Sequence, residues 1–214
     1  MRKVLGICCI VLGICCLIAA VGLIAYNRWE ENSAQDASAD LLQDVRVTIH
    51  DHKQEDITPE ATVPEGTVPE ETAEIIADVP QEMLTAKVKG YDCIGVLSIP
   101  VLELDLPVLT DWSYAKLRVA PCHYFGSCYE KNFVIAAHNY QSHFGRLSSL
   151  QPKDLILFTD ISGNVYCYEV VLLETLAADA TEEMITSGFD LSLYTCTPGG
   201  ASRVTVRCNA VTAK

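Results

Sequence analysis

The pattern of apolar and polar positions divides the chain into three parts. Behind the basic start "MRK", residues 4–26 form an uncharged and almost entirely apolar run, and roughly 20 such residues are enough to cross a bilayer as a helix. A cleavable signal peptide would have a shorter apolar region, of about 7–15 residues, with small residues close behind it. Here "NRWEE" follows instead, so the pattern predicts an uncleaved membrane anchor over residues 1–28.

Residues 29–88 are acidic and, after Trp29, contain no aromatic residue. The stretch "ATVPEGTVPEET" repeats the letters TVPE. Such a segment has too little apolar surface to offset the entropy lost on folding, and proline and like-charge repulsion favour extended chains. We predict a largely disordered acidic stalk that holds the following domain away from the membrane, so that a chain starting near Glu82 should be soluble and should keep the function of that domain.

From Tyr91 onwards the chain alternates between short β-rich runs and turns, which is typical of an all-β domain. The runs are "CIGVLSIP", "LELDLPVL", "NFVIAAH", "LILFTD", "VYCYEVVLLETL", "LSLYTC" and "SRVTVRCNAV". About seven or eight strands in so short a segment indicate a sandwich or a closed barrel. "NFVIAAH" and "LILF" are apolar on both faces, as central strands are. Residues 89–214 are therefore predicted to form a single β domain.

Charge and cysteine placement exclude two classes of site. The net charge of −13 comes without a basic stripe that could neutralise phosphates, so nucleic acid is excluded as a partner. The acidic remainder also offers little to retain the domain in the cytoplasm, which favours an extracellular location. Of the ten cysteines, four lie in the apolar run and the others form no CxxC pair, which disfavours zinc. A disulfide between Cys122 and Cys128 stays open.

The stretch "LYTCTPGGASRVTVRC" predicts a hairpin with Cys196 directly opposite Arg203. In that register Thr195 faces Val204 on an apolar face, while the thiol and the guanidinium share the outer face. A neighbouring cation stabilises the thiolate, which is the nucleophilic form of cysteine. The alternative is a packing cysteine beside a surface arginine. His138, which ends the buried run "NFVIAAH", could serve such a cysteine as general acid and base.

The segments "VIAAHNYQSHFGRLSSLQPKDLILFTD" and "LYTCTPGGASRVTVRC" together resemble the sortases, the cysteine transpeptidases of Gram-positive cell surfaces. The resemblance covers about residues 91–212 and implies a closed sortase-type β-barrel of about eight strands with short helices. It also implies that Cys196 is the nucleophile, His138 the general acid and base, and Arg203 the group that holds substrate and stabilises the oxyanion. Thr195 would help to shape the oxyanion site. No metal or other cofactor is implied.

The partners implied by the resemblance are LPXTG-like sorting signals of surface proteins and an amine of a peptidoglycan precursor of the lipid II type. The enzyme would be a single-pass protein of the cell membrane, with its catalytic domain outside. Three features depart from the family pattern: Ala137 stands where glycine is usual, the loop 197–202 is short, and Cys208 follows the second arginine where glycine is common. The first of these could crowd the imidazole.

Several alternatives stay open at this level. A sortase that polymerises pilins onto a lysine would carry a second membrane helix and an Asp-Pro-aromatic lid motif, and the chain has neither, so a class D-like or housekeeping type is preferred. A different cysteine acyltransferase, such as an L,D-transpeptidase, lacks support because Tyr194 and Thr195 replace the His-Gly that precedes its cysteine. A catalytically silent surface-binding module would have no reason to keep Cys196, His138 and Arg203 together.

Overall fold

The computed structural model describes residues 2–55 and 82–211. Its α-helices and strands are, in chain order, α1 Arg2–Glu55, β1 Ala86–Val88, β2 Tyr91–Ile99, β3 Leu104–Leu109, α2 Tyr114–Leu117, β4 Cys122–Phe125, β5 Phe133–Ala136, β6 Leu155–Asp160, β7 Val165–Ala177, α3 Thr181–Ile185, β8 Leu191–Cys196 and β9 Ser202–Ala210. Two short 3₁₀ helices, Pro100–Leu102 and Leu147–Ser149, lie between them. All seven predicted strands are present. β1 and β4 were not predicted, because three or four residues are too few to show a period.

The strands close into a barrel, which confirms the predicted fold class. The hydrogen-bonded order is β1-β2-β3-β4-β5-β8-β9-β7-β6, and β2 also pairs with β6. Eight strands thus form the closed barrel and β1 extends it at one edge of β2. Closure requires a glycine at position 95, where φ is +152° and an added Cβ would lie 2.1 Å from the Thr159 carbonyl oxygen.

The barrel core draws side chains from strands along the whole domain, and β5 lies in the barrel wall between β4 and β8. All four residues of β5 are buried, as predicted from a run that is apolar on both faces. The same prediction for "LILF" is wrong: along β6, Ile156 and Phe158 are buried while Leu155 is 45% exposed. β6 therefore has one inner and one outer face, as ordinary barrel strands do.

Helix α1 runs without interruption from Arg2 to Glu55, so the prediction of a disordered stalk is wrong for residues 29–55. Leu41 and Val45 are buried and join a hydrophobic cluster with Leu109 of β3. At the helix surface the Lys89 ammonium lies 2.5 Å from an Asp40 carboxylate oxygen. Residues 56–81, with the repeated TVPE, lie outside the described residues. Because acidic residues predominate in this segment, its composition did not indicate the apolar stripe by which the helix packs against the barrel.

The first half of α1 has the length and composition of a membrane span. Its apolar side chains are exposed, for example Leu17 at 69% and Ile18 at 67%, as expected of a surface that faces lipid. Tyr26 and Trp29 follow, with ring centroids 6.1 Å apart, and aromatic side chains of this kind favour the membrane–water interface. α1 is therefore a candidate membrane span that continues into a docked helix.

Docking of α1 changes what truncation should do. A catalytic domain that begins at Glu82 loses the side chains of Leu41 and Val45, and burying two such groups contributes about 3–6 kcal/mol. We expect urea unfolding to show a lower free energy of unfolding for this fragment than for one that begins at Trp29.

A fragment that begins at residue 56 is the matched control for this experiment. It keeps the connecting segment but not the helix, so it should unfold like the Glu82 fragment. Equal stability of the Trp29 and Glu82 fragments would mean that the docked helix contributes nothing to the barrel.

Candidate active site

The β8–β9 hairpin has the predicted register. Cys196 pairs with Arg203, Thr195 with Val204, and Leu191 with Cys208. Leu191, Leu193, Val206 and Cys208 on the inward face are fully buried, and Val204 is partly buried. The short loop between the strands turns through Gly199 and Gly200, both with positive φ, and is closed by a hydrogen bond from the Thr197 amide to the Ser202 carbonyl oxygen at 2.9 Å.

The other face of the hairpin is less open than predicted. Helix α3 covers part of it, and Ser192, Thr205 and Arg207 are buried. Arg207, four residues along β9 from Arg203, is therefore not among the residues that line the groove. Its Nε donates to Glu174 at 2.7 Å and its Nη1 donates to the Ser192 hydroxyl at 2.8 Å. The Arg207 guanidinium links α3 to the barrel, so its role is structural.

Replacing Arg207 by alanine should destabilise the fold. The change leaves the Glu174 carboxylate and the buried Ser192 hydroxyl without their partner, and breaking a buried ion pair on one side costs about 3–5 kcal/mol. Urea unfolding measures the loss. Lys131→Ala, at an exposed position, is the control and should change stability by less than about 0.5 kcal/mol. Equal changes in the free energy of unfolding for the two variants would contradict a structural role of Arg207.

His138 stands beside Cys196 because of the pairing of β5 with β8. The two strands are parallel and Ala136 pairs with Tyr194, so two residues further along each strand His138 comes level with Cys196. The Ala137 amide continues the pairing with a hydrogen bond to the Tyr194 carbonyl oxygen at 3.2 Å. His138, Cys196 and Arg203 line one groove of about 230 Å³. The structure thus brings these three predicted residues together.

The environment of His138 favours a neutral imidazole. Partial burial lowers the pKa of His138, the positive charge of Arg118 lowers it further, and Glu30 acts in the opposite direction. Since the ordinary pKa of histidine is about 6.5, His138 is mostly uncharged at neutral pH. A neutral imidazole can accept a proton from a neighbouring thiol.

The "HFG" segment after His138 folds back onto the histidine. The Phe144 amide donates to the His138 carbonyl oxygen at 3.1 Å, and the Gly145 amide to the Tyr140 carbonyl oxygen at 2.8 Å. A Cβ at Gly145 would lie 2.5 Å from the carbonyl oxygen of Asn139, so only glycine fits. This close return of the chain gives the His138 backbone a fixed position.

The two other histidines of the domain lie outside the groove. His143 is fully buried, and burial lowers its pKa to about 4. His123 bridges two loops, with Nδ1 at 3.0 Å from the Thr110 carbonyl oxygen and Nε2 at 2.7 Å from that of Gly126. Neither residue lines the groove.

Thr195 and Ala137 connect the two chain segments that carry Cys196 and His138. The Thr195 hydroxyl donates to the Ala137 carbonyl oxygen at 2.8 Å and is buried, so this side chain ties β8 to the residue before His138. Ala137 has no positive φ and packs in the core cluster. Glycine is therefore not needed at position 137, and the backbone there is unstrained.

Arg203 keeps part of its donor capacity for a ligand. Its Nη1 donates to the carbonyl oxygens of Gly200 at 3.0 Å and Ser202 at 3.1 Å. Among the described residues, Nε and Nη2 have no hydrogen-bond partner. The short loop thus orients the guanidinium and leaves the three N–H bonds of Nε and Nη2 available to a ligand.

The groove walls are mainly aromatic and aliphatic, and the sequence pattern did not predict them. Tyr124 stacks edge-on against Tyr194 at 5.4 Å, and Trp112 lies 6.1 Å from Tyr124. Met184 and Ala180, at α3, line the opposite side. The aromatic residues of "DWSY", at the start of α2, were a sequence signal for this wall. The side chains that they pack against come from strands distant in the sequence.

The remaining cysteines of the domain have no part in the groove. The thiols of Cys93, Cys122, Cys128 and Cys208 are buried, which raises the pKa of each to about 12, and all four are free, so no Cys122–Cys128 disulfide is formed. Cys167 is half-buried on β7. Within residues 2–55 and 82–211, no three His, Cys, Asp or Glu side chains are grouped as a metal site requires.

A thiol, an imidazole and a guanidinium on one groove of a closed barrel form the kind of site that cysteine acyltransferases use. The family model "Sortase domain" matches residues 97–211, which is more than half of the 214 residues. The chain therefore belongs to the sortase family, whose members are cysteine transpeptidases. No curated protein matches the chain.

Solved sortases of several classes share the fold. Sortase A from Corynebacterium diphtheriae is 24% identical, with a TM-score of 0.52 over 58% of this chain and 63% of that one. Sortase C1 from Streptococcus suis is 26% identical, with a TM-score of 0.51 over 57% and 74%. A sortase D5 transpeptidase from Clostridium perfringens is 20% identical, with a TM-score of 0.51 over 56% and 80%.

The present chain spans less than two thirds of the Corynebacterium diphtheriae protein. The TM-scores of the class A, C and D structures are nearly equal, so similarity of fold does not select a class.

Proposed function

We propose that the chain is a membrane-anchored transpeptidase that cleaves an LPXTG-like sorting signal and transfers the surface protein to an amine of a peptidoglycan precursor. The observation that carries this proposal is the single groove lined by His138, Cys196 and Arg203. The candidate span in α1 supports an anchor at the cell membrane, with the catalytic domain outside.

The first half of the reaction forms a thioester. His138 accepts the thiol proton, and the Cys196 sulfur attacks the carbonyl carbon between the Thr and Gly of the signal. The free N–H groups of Arg203 stabilise the negative charge that develops on the carbonyl oxygen. As the C–N bond breaks, His138 returns the proton to the leaving amine, and the surface protein remains bonded to Cys196.

The second half reverses these roles. An acceptor amine attacks the thioester carbon, His138 takes a proton from the amine, and the Cys196 sulfur leaves. A new amide bond forms and the free thiol is restored with the proton from His138. No metal or other cofactor is needed for either half, because the leaving groups are an amine that is protonated and a thiolate.

The groove walls suit the Leu-Pro part of such a signal. Trp112, Tyr114 and Tyr124 present apolar surface along one side, and Trp112 and Tyr114 are 45% and 74% exposed. Exposed aromatic side chains of this size favour contact with apolar ligand groups. A class D-like or housekeeping type remains our preference.

Trapping the acyl-enzyme tests the proposal. The full chain in detergent is mixed with a panel of sorting-signal peptides and quenched in acid, and intact mass spectrometry should show a thioester on Cys196. Release by diglycine, a cell-wall-like amine, against release by a pilin-type lysine peptide distinguishes the two acceptors. A chain that forms no adduct with any LPXTG-like peptide would contradict the proposal.

A further inference from the structure

Helix α1 contacts the loop that follows His138, at the place where the helix leaves the candidate membrane span. The Tyr140 hydroxyl donates to the Glu30 carboxylate at 3.2 Å. The next residue of the helix binds the next residue of the loop, since the Gln141 amide donates to Glu31 at 2.6 Å. Two successive acidic side chains thus hold two successive loop residues, so the contact has a defined register.

Glu30 also forms an ion pair with Arg118, a cation that lowers the pKa of His138. The Arg118 Nε lies 3.4 Å from the same Glu30 oxygen that accepts from Tyr140. The ring of Tyr140 in turn stacks on that of His138, with centroids 4.9 Å apart. One carboxylate oxygen therefore contacts both a ring that packs on the imidazole and a charge that acts on it.

The groups around His138 come from every element packed against it. Helix α1 supplies Glu30, the end of α2 supplies Arg118, and the loop supplies Tyr140 and His143. Strands β8 and β9 add Cys196 and Arg203 from the groove. Among them Glu30 is the one carboxylate that acts on the imidazole. Burial and Glu30 raise the pKa of Tyr140 to about 12, so its hydroxyl stays protonated and can donate.

We propose that Glu30 is a positioning residue for His138, which orients the imidazole through Tyr140 and neutralises Arg118 beside it. The inference rests on the role proposed above for His138. It makes the segment just beyond the candidate membrane span part of the catalytic machinery. The domain cut at Glu82 would keep its thiol and imidazole but lose this carboxylate.

The test follows the titration of His138 itself, in the full chain in detergent micelles. Histidine-selective labelling gives a resonance for each imidazole, and His138→Gln identifies the one sought. Glu30→Gln removes the negative charge and should lower the titration midpoint by about half a pH unit. Arg118→Gln removes the opposing positive charge and should raise it. The double variant should return the midpoint towards that of the parent.

Asp36→Asn is the matched control, because it makes the same chemical change on α1 at an exposed position with no hydrogen bond or ion pair to the described residues. It should leave the midpoint unchanged. A Glu30→Gln midpoint equal to that of Asp36→Asn, or shifts of the same sign in Glu30→Gln and Arg118→Gln, would overturn the inference. The measurement needs no turnover. A parent that titrates as expected but cleaves no peptide would therefore refute the proposed function and leave the action of Glu30 on His138 standing.

Discussion

Replacing Cys196 by alanine is expected to abolish both cleavage and transfer of a sorting-signal peptide while the barrel stays folded. Cys196 faces the groove with His138, whereas the thiols of Cys93, Cys122, Cys128 and Cys208 are buried and held in the protonated form. A protonated, inaccessible thiol cannot take over as nucleophile. The rate of product release should fall by at least about 10⁴-fold, since loss of a nucleophile removes the covalent route.

Cys167→Ala is the matched control, because this cysteine is half-buried on β7 and outside the groove. It should release product at nearly the parent rate. A thiol-blocking reagent should inactivate the parent and the Cys167→Ala variant alike, and a sorting peptide should slow both reactions. Near-parent product release by Cys196→Ala would show that the nucleophile is another group.

The β8–β9 hairpin could be predicted from the sequence because its pairing depends on residues close together in the chain. The turn "TPGGAS" and the alternation on either side of it determine which residues oppose each other, and the structure has that register from Leu191–Cys208 to Cys196–Arg203. The place of His138 followed from a buried strand that ends in histidine. No pattern indicated that β5 would lie beside β8, and the family resemblance supplied that relation.

The features that could not be predicted depend on contacts between distant segments. Helix α1 beyond Trp29 is acidic, and its apolar stripe around Leu41 and Val45 becomes visible once the barrel surface that it covers is known. Arg207 lies on the opposite face of β9 from the inward residues, so the alternation predicts an exposed side chain. In the structure α3, a helix of five residues, covers it. The sequence shows that both segments are polar, but it does not show which elements pack against them.

These contacts also alter the expected position of the active site relative to the membrane. A flexible stalk would have let the domain range away from the bilayer, whereas Glu30 contacts Tyr140 directly. At a rise of about 1.5 Å per residue, Glu30 lies only about 6 Å along the helix axis from Tyr26 and directly follows Trp29. If the candidate span is inserted, the groove is held close to the membrane surface, where the lipid II-type acceptor proposed above would also lie.

The second large effect is expected at Arg203, and the structure separates it from Arg207. Arg203 lies opposite Cys196 and lines the groove, while Arg207 is buried against Glu174 and Ser192. Arg203→Ala should lower the single-turnover rate of acylation by at least about 10²-fold, as loss of an oxyanion donor does. Among folded molecules, Arg207→Ala should change that rate several-fold at most.

Lysine at position 203 should rescue the reaction poorly. Nη1 of Arg203 is occupied by the Gly200 and Ser202 carbonyl oxygens, so binding of the loop and of the oxyanion together needs a planar group with several N–H donors. An ammonium is a point charge without that fork, and it would have to give up one of the two sets of contacts. The measurement is the acylation rate of Arg203→Ala, Arg203→Lys and Arg207→Ala, each corrected for its folded fraction. A larger loss at 207 than at 203, or full rescue by lysine, would mean that the oxyanion is bound elsewhere in the groove.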